Sequence, residues 1–273
     1  MVLITYVITS EVFVKLAVIQ QKILDNFDEN LSSLSEKIKE AVSYGAEVIC
    51  LSECFAGEDI SPERGAKVLD FLSKVASKNK VSIITGNVIF SNPEGETKEF
   101  SAVINRTGKI IGLQEKISSP FCSNKVTEDG KLNLIDTDLG KIIILSQLDC
   151  IDGSIEEEII SLEPDLIVMQ FSSVSLLESE AVKELALSRS LGEANVVITA
   201  SLVGKIGDRV CLGNSFIAFQ GEIITEAAGN ESVMVVELDS SRFFKYKGLR
   251  ETVVMPDLLK QKFERERYLA GGI

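Results

Sequence analysis

Histidine is absent from the 273 residues, and its absence excludes more chemistry than any residue present. Ser-His-Asp and Cys-His catalysis both need an imidazole to take the proton of the nucleophile, so neither is open to this chain. A His/Cys metal site is excluded with them. Acid–base work is left to Glu, Asp, Lys, Tyr or Cys. Positive charge is also scarce: 28 Lys and Arg against 41 Asp and Glu give a net charge of −13. A phosphate backbone is bound by clustered basic residues, so nucleic acid is not an expected partner. No apolar run is long enough to span a bilayer, and a membrane is not expected either. The run from Val2 to Ile8 is short and no basic residue precedes it. It reads as an extra edge strand or as part of an N-terminal extension over residues 1–13. Five cysteines (Cys50, Cys54, Cys122, Cys150 and Cys211) are an odd, scattered set. They do not read as a disulfide framework but as core residues of a protein in a reducing, cytoplasmic compartment.

What is present is the material of one large α/β domain. Apolar residues make up 45% of the chain, enough for a sizeable core, and no Pro-, Gly- or Ser-rich linker divides it. Val14 to Ile19 reads as a buried strand. Leu31, Leu34, Ile38 and Val42 then recur at helical spacing up to Gly45, a helix stop. Strands are expected at 46–51, 81–90, 100–105 and 109–112, with a helix from Pro62 to Lys78 and turns at 92–95 and at Thr107-Gly108. The second half alternates again. Strands fall at 140–147, 165–169, 196–201, 215–219, 222–226 and 233–238, and helices at 155–162 and 180–192. Alternation interrupted by hairpins points to mixed sheets covered by helices rather than to a barrel. Residues 250–273, dense in charge, read as a C-terminal arm.

Three places set a chemically useful residue just after an apolar strand: Glu53, Lys116 and the break Ser146-Gln147-Leu148-Asp149. A carboxylate can act as general base and a lysine can stabilise a tetrahedral oxyanion. A nucleophile at a strand-to-helix elbow would complete an acyl-transfer site without histidine. Taken singly, each is a polar strand end and no more.

The ordered set resembles the nitrilase (carbon–nitrogen hydrolase) superfamily, whose catalytic set is Glu, Lys and Cys. Gly45-Ala-Glu-Val-Ile-Cys-Leu-Ser-Glu53 looks like the segment carrying the general base, and Asn105 to Lys116 like the segment leading to the catalytic lysine. Pro164-Asp165-Leu-Ile-Val is similar to the strand after the nucleophile helix. Leu212 to Gly221, continued through Asp239, is similar to the closing hairpin and last strand. The resemblance implies a four-layer α-β-β-α sandwich with mixed sheets. It also implies hydrolysis or transfer at a carbon–nitrogen bond of a small amide-type substrate, no cofactor, and a homodimer or higher homo-oligomer.

The departures fall on the chemistry. Where the family writes Cys-aromatic-Asp, the gap-free register from Gly140 places Gln147-Leu148-Asp149, and a carboxamide cannot attack an amide carbonyl. Around Ser118 a histidine frequent in the family is replaced, and no second family glutamate is evident near Glu128. A rival register uses Cys150-Ile151-Asp152, which restores a thiol but carries it about 4.5 Å along a helix and most of a turn round. Gln147 remains able to hydrogen-bond in the pocket. Leu148, Asp149 and Cys150 are the candidate binding residues beside it, with Asp149 expected to satisfy N–H groups at the start of the next helix. Three readings stand: an amidase-like enzyme whose thiol mechanism is lost or impaired, a binding or assembly protein that keeps the pocket, and a thiol amidase using Cys150. Direct attack of water assisted by Glu53 is a further route to hydrolysis.

Overall fold

A computed structural model describes residues 13–57, 61–91, 97–117, 131–192 and 196–239. The expected N-terminal strand, the turn at 92–95 and the C-terminal arm lie outside them. The elements are β1 (Phe13–Gln20), α1 (Phe27–Ser43), β2 (Val48–Leu51), α2 (Pro62–Asn79), β3 (Ser82–Ser91), β4 (Thr97–Ile104), β5 (Ile110–Glu115), β6 (Ile135–Thr137), β7 (Gly140–Ser146), α3 (Glu156–Leu162), β8 (Leu166–Gln170), α4 (Leu176–Gly192), β9 (Val196–Thr199), β10 (Val203–Ile206), β11 (Arg209–Leu212), β12 (Phe216–Phe219), β13 (Glu222–Glu226) and β14 (Ser232–Asp239).

Two six-stranded sheets form, ordered β14-β1-β2-β3-β4-β5 and β13-β12-β9-β8-β7-β6, with β10 and β11 as a separate hairpin. The parallel pairs β1–β2–β3 and β7–β8–β9 lie at the centres, flanked by antiparallel strands. Central strands must bury both faces, and their sequences are accordingly continuous apolar runs. Leu16, Val18, Cys50 and Ile84 of one sheet pack against Ile142, Ile144, Val168 and Ile198 of the other. The opposite faces carry Ala17, Ile19 and Ile49 against Leu34 and Ile38 of α1 and Leu72 of α2. Ile143, Ile167 and Met169 pack against Ile159 of α3 and Val182 and Ala186 of α4. The result is a four-layer α-β-β-α sandwich with mixed sheets.

The helices start as their sequences direct. Asn26 caps α1 by accepting from Asp28 and Glu29 N–H, and Ser61 caps α2 with Pro62 at its first turn. The expected helix at 155–162 is shorter than its apolar spacing indicates, because 3-10 turns at Gln147–Cys150 and Gly153–Ile155 take up the chain before Glu156. Strands β6, β10 and β11 carry too few residues for a periodicity signal to develop. Among the described residues no helix is long and apolar enough to cross a membrane.

Candidate active site

Glu53 leaves the C-terminal end of β2, where the chain turns sharply. Gly86 makes that turn possible: a Cβ there would lie 2.0 Å from the carbonyl oxygen of Ser52. The close approach coincides with a register shift in the β3–β4 ladder between Ile84 and Asn87, and it sets Asn87 beside Glu53. Asn87 Nδ2 donates to Glu53 Oε1 at 3.1 Å and to Glu99 Oε2 at 3.2 Å. Lys116 follows β5 and is tied to β4 by its N–H, which donates to Glu99 O. Its Nζ lies 2.7 Å from Glu53 Oε1 and 3.5 Å from Glu99 Oε2, with all three side chains almost fully excluded from solvent.

Gln147 sits at the elbow expected from the sequence. Strand β7 ends at Ser146, and Gln147 takes φ +47 as the first residue of a 3-10 turn. A residue with a Cβ pays strain for that conformation, and such outliers collect where a side chain must be aimed. The carboxamide is close enough to Glu53 to favour the ionised carboxylate. The contact is not a well-formed hydrogen bond, since Gln147 Nε2 and Glu53 Oε2 are both buried without a partner. Burial raises the Glu53 carboxyl from 4.5 to about 7, against the lowering pull of Lys116. Burial pulls Lys116 down, but Glu53 and Glu99 outweigh it and hold the ammonium above its ordinary range.

Below the acidic pair runs a polar seam between the two sheets. Ser101 Oγ donates to Asn87 Oδ1 and lies 2.8 Å from Gln170 Oε1, and Ser146 Oγ reaches the same two acceptors. Gln170 Nε2 donates across to Leu51 O and Thr85 O. Because Ser146 and Gln170 are paired neighbours on β7 and β8, this seam fixes the elbow relative to the end of β2. A buried network with satisfied partners gives the site one geometry.

The other candidates fall differently. Asp149 is buried, and its Oδ2 accepts from Ile117 N–H at 3.3 Å and Ser146 N–H at 3.4 Å. It joins the residue after Lys116 to the elbow, a bracing contact. Leu148 is 47% exposed and points away from the acidic cluster's buried environment. Cys150 is fully buried among Ile143, Leu145 and Ile159. Its Sγ donates to Leu145 O at 3.4 Å. Burial holds its thiol well above the ordinary range, with Asp149 adding to the rise and Arg189 opposing it. That environment is the reverse of what a thiolate nucleophile needs. Cys54 is disulfide-bonded, which corrects the reading of the cysteines as unpaired core thiols; Cys50, Cys150 and Cys211 are free.

Glu99 is the functional candidate that the reading of the sequence missed. The signal was the period of β4: Glu99, Ser101 and Val103 alternate with Phe100, Ala102 and Ile104, whose last two pack under the helices. Glu99 therefore faces the inter-sheet layer, where an unpaired charge is not tolerated.

The carbon–nitrogen hydrolase family model matches residues 15–247. A search of curated proteins found no match. Among solved structures, a carbon–nitrogen hydrolase from Helicobacter pylori G27 superposes with a TM-score of 0.79 at 17% identity, covering 92% of this chain and 99% of that one. Nit3 of Saccharomyces cerevisiae, from the nitrilase superfamily, gives 0.76 at 20% identity, covering 89% and 95%. An amidase from Nesterenkonia sp. AN1, whose active-site cysteine undergoes Michael addition of acrylamide, gives 0.73 at 14% identity, covering 86% and 97%.

Proposed function

The chain belongs to the carbon–nitrogen hydrolase family, and from that premise we propose that it binds a small amide-type ligand without forming the covalent thioester of its catalytic relatives. One observation carries the reading. The elbow position after β7 is held by Gln147, with its carboxamide against Glu53, while the nearby thiol of Cys150 is turned into the core and bonded to Leu145 O. A carboxamide offers no electron pair nucleophilic enough to attack an acyl carbon. The rest of the site is built for a ligand: Lys116 supplies charge-assisted donors, and Glu53 and Gln147 carry unfilled hydrogen-bonding atoms.

The test is to incubate the protein with small aliphatic amides and follow ammonia release. Beside it, binding of the same amides is measured by calorimetry. Binding with no turnover is expected, and Gln147→Cys should restore slow hydrolysis that Glu53→Gln then abolishes. Turnover by the unmodified protein that is lost in Glu53→Gln would overturn the reading in favour of direct water attack.

The proposal includes self-association. Leu176, Leu177 and Leu191 of α4 and Ile160 of α3 are 73%, 76%, 64% and 55% exposed, an apolar outer layer suited to pairing with a second copy. Light scattering on the purified protein would check it. A cytoplasmic setting fits the free thiols Cys50, Cys150 and Cys211, and the disulfide at Cys54 speaks against it.

A further inference from the structure

Glu99 changes the charge of the site. Three buried carboxylates surround one ammonium: Glu53 and Glu99 contact Lys116 directly, and Asp149 lies near enough to act on its charge. With all groups ionised the cluster carries an excess of negative charge in the layer between two sheets, where an uncompensated charge is costly. The hydrogen bonding is lopsided in the same sense. One oxygen of each glutamate is shared by Lys116 and Asn87. The other, Oε2 of Glu53 and Oε1 of Glu99, is buried without a partner, and so is Gln147 Nε2 beside them. Buried polar atoms are nearly always satisfied, so two orphan acceptors and an adjacent orphan donor describe a ligand's complement.

Resting on the reading of this site as a ligand site, we infer that its ligand is a small organic cation with N–H donors, an amidinium or primary ammonium, held between Glu53 Oε2 and Glu99 Oε1. Such a group supplies both the missing charge and the missing donors. A neutral amide supplies the donors alone, and a carboxylate opposes both. A metal ion fits less well, because the described residues hold no grouping of three or more acidic, thiol or imidazole ligands. Gln147 Nε2 would take an acceptor atom elsewhere on the same ligand. In the empty site a proton on the glutamate pair relieves the repulsion, in keeping with the Glu53 carboxyl raised to about 7. Cation binding near neutral pH therefore displaces a proton.

Acetamidinium, acetamide and acetate have nearly the same shape and differ in charge, so they isolate the electrostatic question. Titration calorimetry of the full chain with each, in two buffers of different ionisation heat, should show acetamidinium binding tighter than acetamide by about tenfold or more. Acetate should bind weakest, and protons should be released with the cation. Glu99→Gln should lower acetamidinium affinity by about tenfold while leaving that of acetamide within about threefold. Equal or tighter binding of acetamide, or an unchanged preference in Glu99→Gln, overturns the inference and leaves the ligand-binding proposal intact. The charge order in the unmodified protein needs no variant, so it decides the question even where Glu99→Gln unfolds. Hydrolysis of acetamide overturns the non-hydrolytic reading instead, and acetamidinium must then inhibit better than acetate for the charge preference to stand. Binding of none of the three overturns both.

Discussion

Lys116 Nζ stands 2.7 Å from Glu53 Oε1, with 1% and 0% of the two side chains exposed. These residues are 63 positions apart in sequence and meet only because β2 and β5 belong to the same sheet. The pair is not isolated, since Glu99 lies on the far side of the ammonium at 3.5 Å. Removing either partner therefore has different consequences from removing a surface ion pair.

Lys116→Met would strand two acids in the layer between the sheets. A loss of about 3–5 kcal/mol is expected, the range for a buried charge left without its partner. Adding Glu53→Gln to it should recover part of the loss, because the two substitutions act on one network. Urea unfolding midpoints of the single and double variants measure this. An unchanged midpoint in Lys116→Met would show that the acids are already neutral in the native protein.

The pH dependence has a defined sign. Burial raises the Glu53 carboxyl from 4.5 to about 7, so the folded protein binds this proton more tightly than the unfolded chain. The associated stability is complete below pH 4.5 and is lost as the pH rises to about 7. For this fully buried group it amounts to about 3 kcal/mol. Denaturation midpoints followed across that window should fall with rising pH, and Glu53→Gln should flatten the fall. A slope of the opposite sign would mean that Lys116 dominates burial at Glu53.

The thiols should be silent. Burial raises the Cys50 thiol to about 12 and the Cys150 thiol well above its ordinary range, so neither is a thiolate at neutral pH. Limiting iodoacetamide followed by peptide mapping should leave both unlabelled in the native protein and label both in urea. Selective native labelling of Cys150, slowed by Glu53→Gln, would restore the thiol amidase reading.

Arg189 braces the elbow from outside the site. It is fully buried, donates through Nη1 to Cys150 O at 2.7 Å, and pairs with Glu156 through Nε and Nη2 at 3.1 and 2.6 Å. Arg189→Met should cost about 3–5 kcal/mol, and Arg189→Lys should recover little of it, because an ammonium cannot make the two-pronged contact. Amide exchange at residues 147–151 should rise in both variants. Protection equal to that of the unmodified protein would place the bracing role elsewhere.

The local code was legible wherever one face or one cap decided the outcome. The apolar runs at 14–19, 48–51, 142–145 and 166–169 are strands because central strands must bury both faces. The helical spacing of Leu34, Ile38 and Ala41 buries one face of α1. Glu53, Lys116 and Gln147 could be named as candidates because each follows such a run. What the sequence could not decide is which side chains meet. The direction of Cys150 into the core depends on the 3-10 turn that begins at Gln147, and nothing in its spacing distinguishes it from an exposed thiol. Glu99, read alone, is one acid in an ordinary strand. It faces Lys116 because the β4–β5 register brings them opposite each other, and it faces Glu53 because Gly86 lets the end of β2 approach β3. Strand identity follows from short-range patterning of apolar groups, whereas the charge balance of the site arises from three segments brought together by sheet register, and only the tertiary structure sets that.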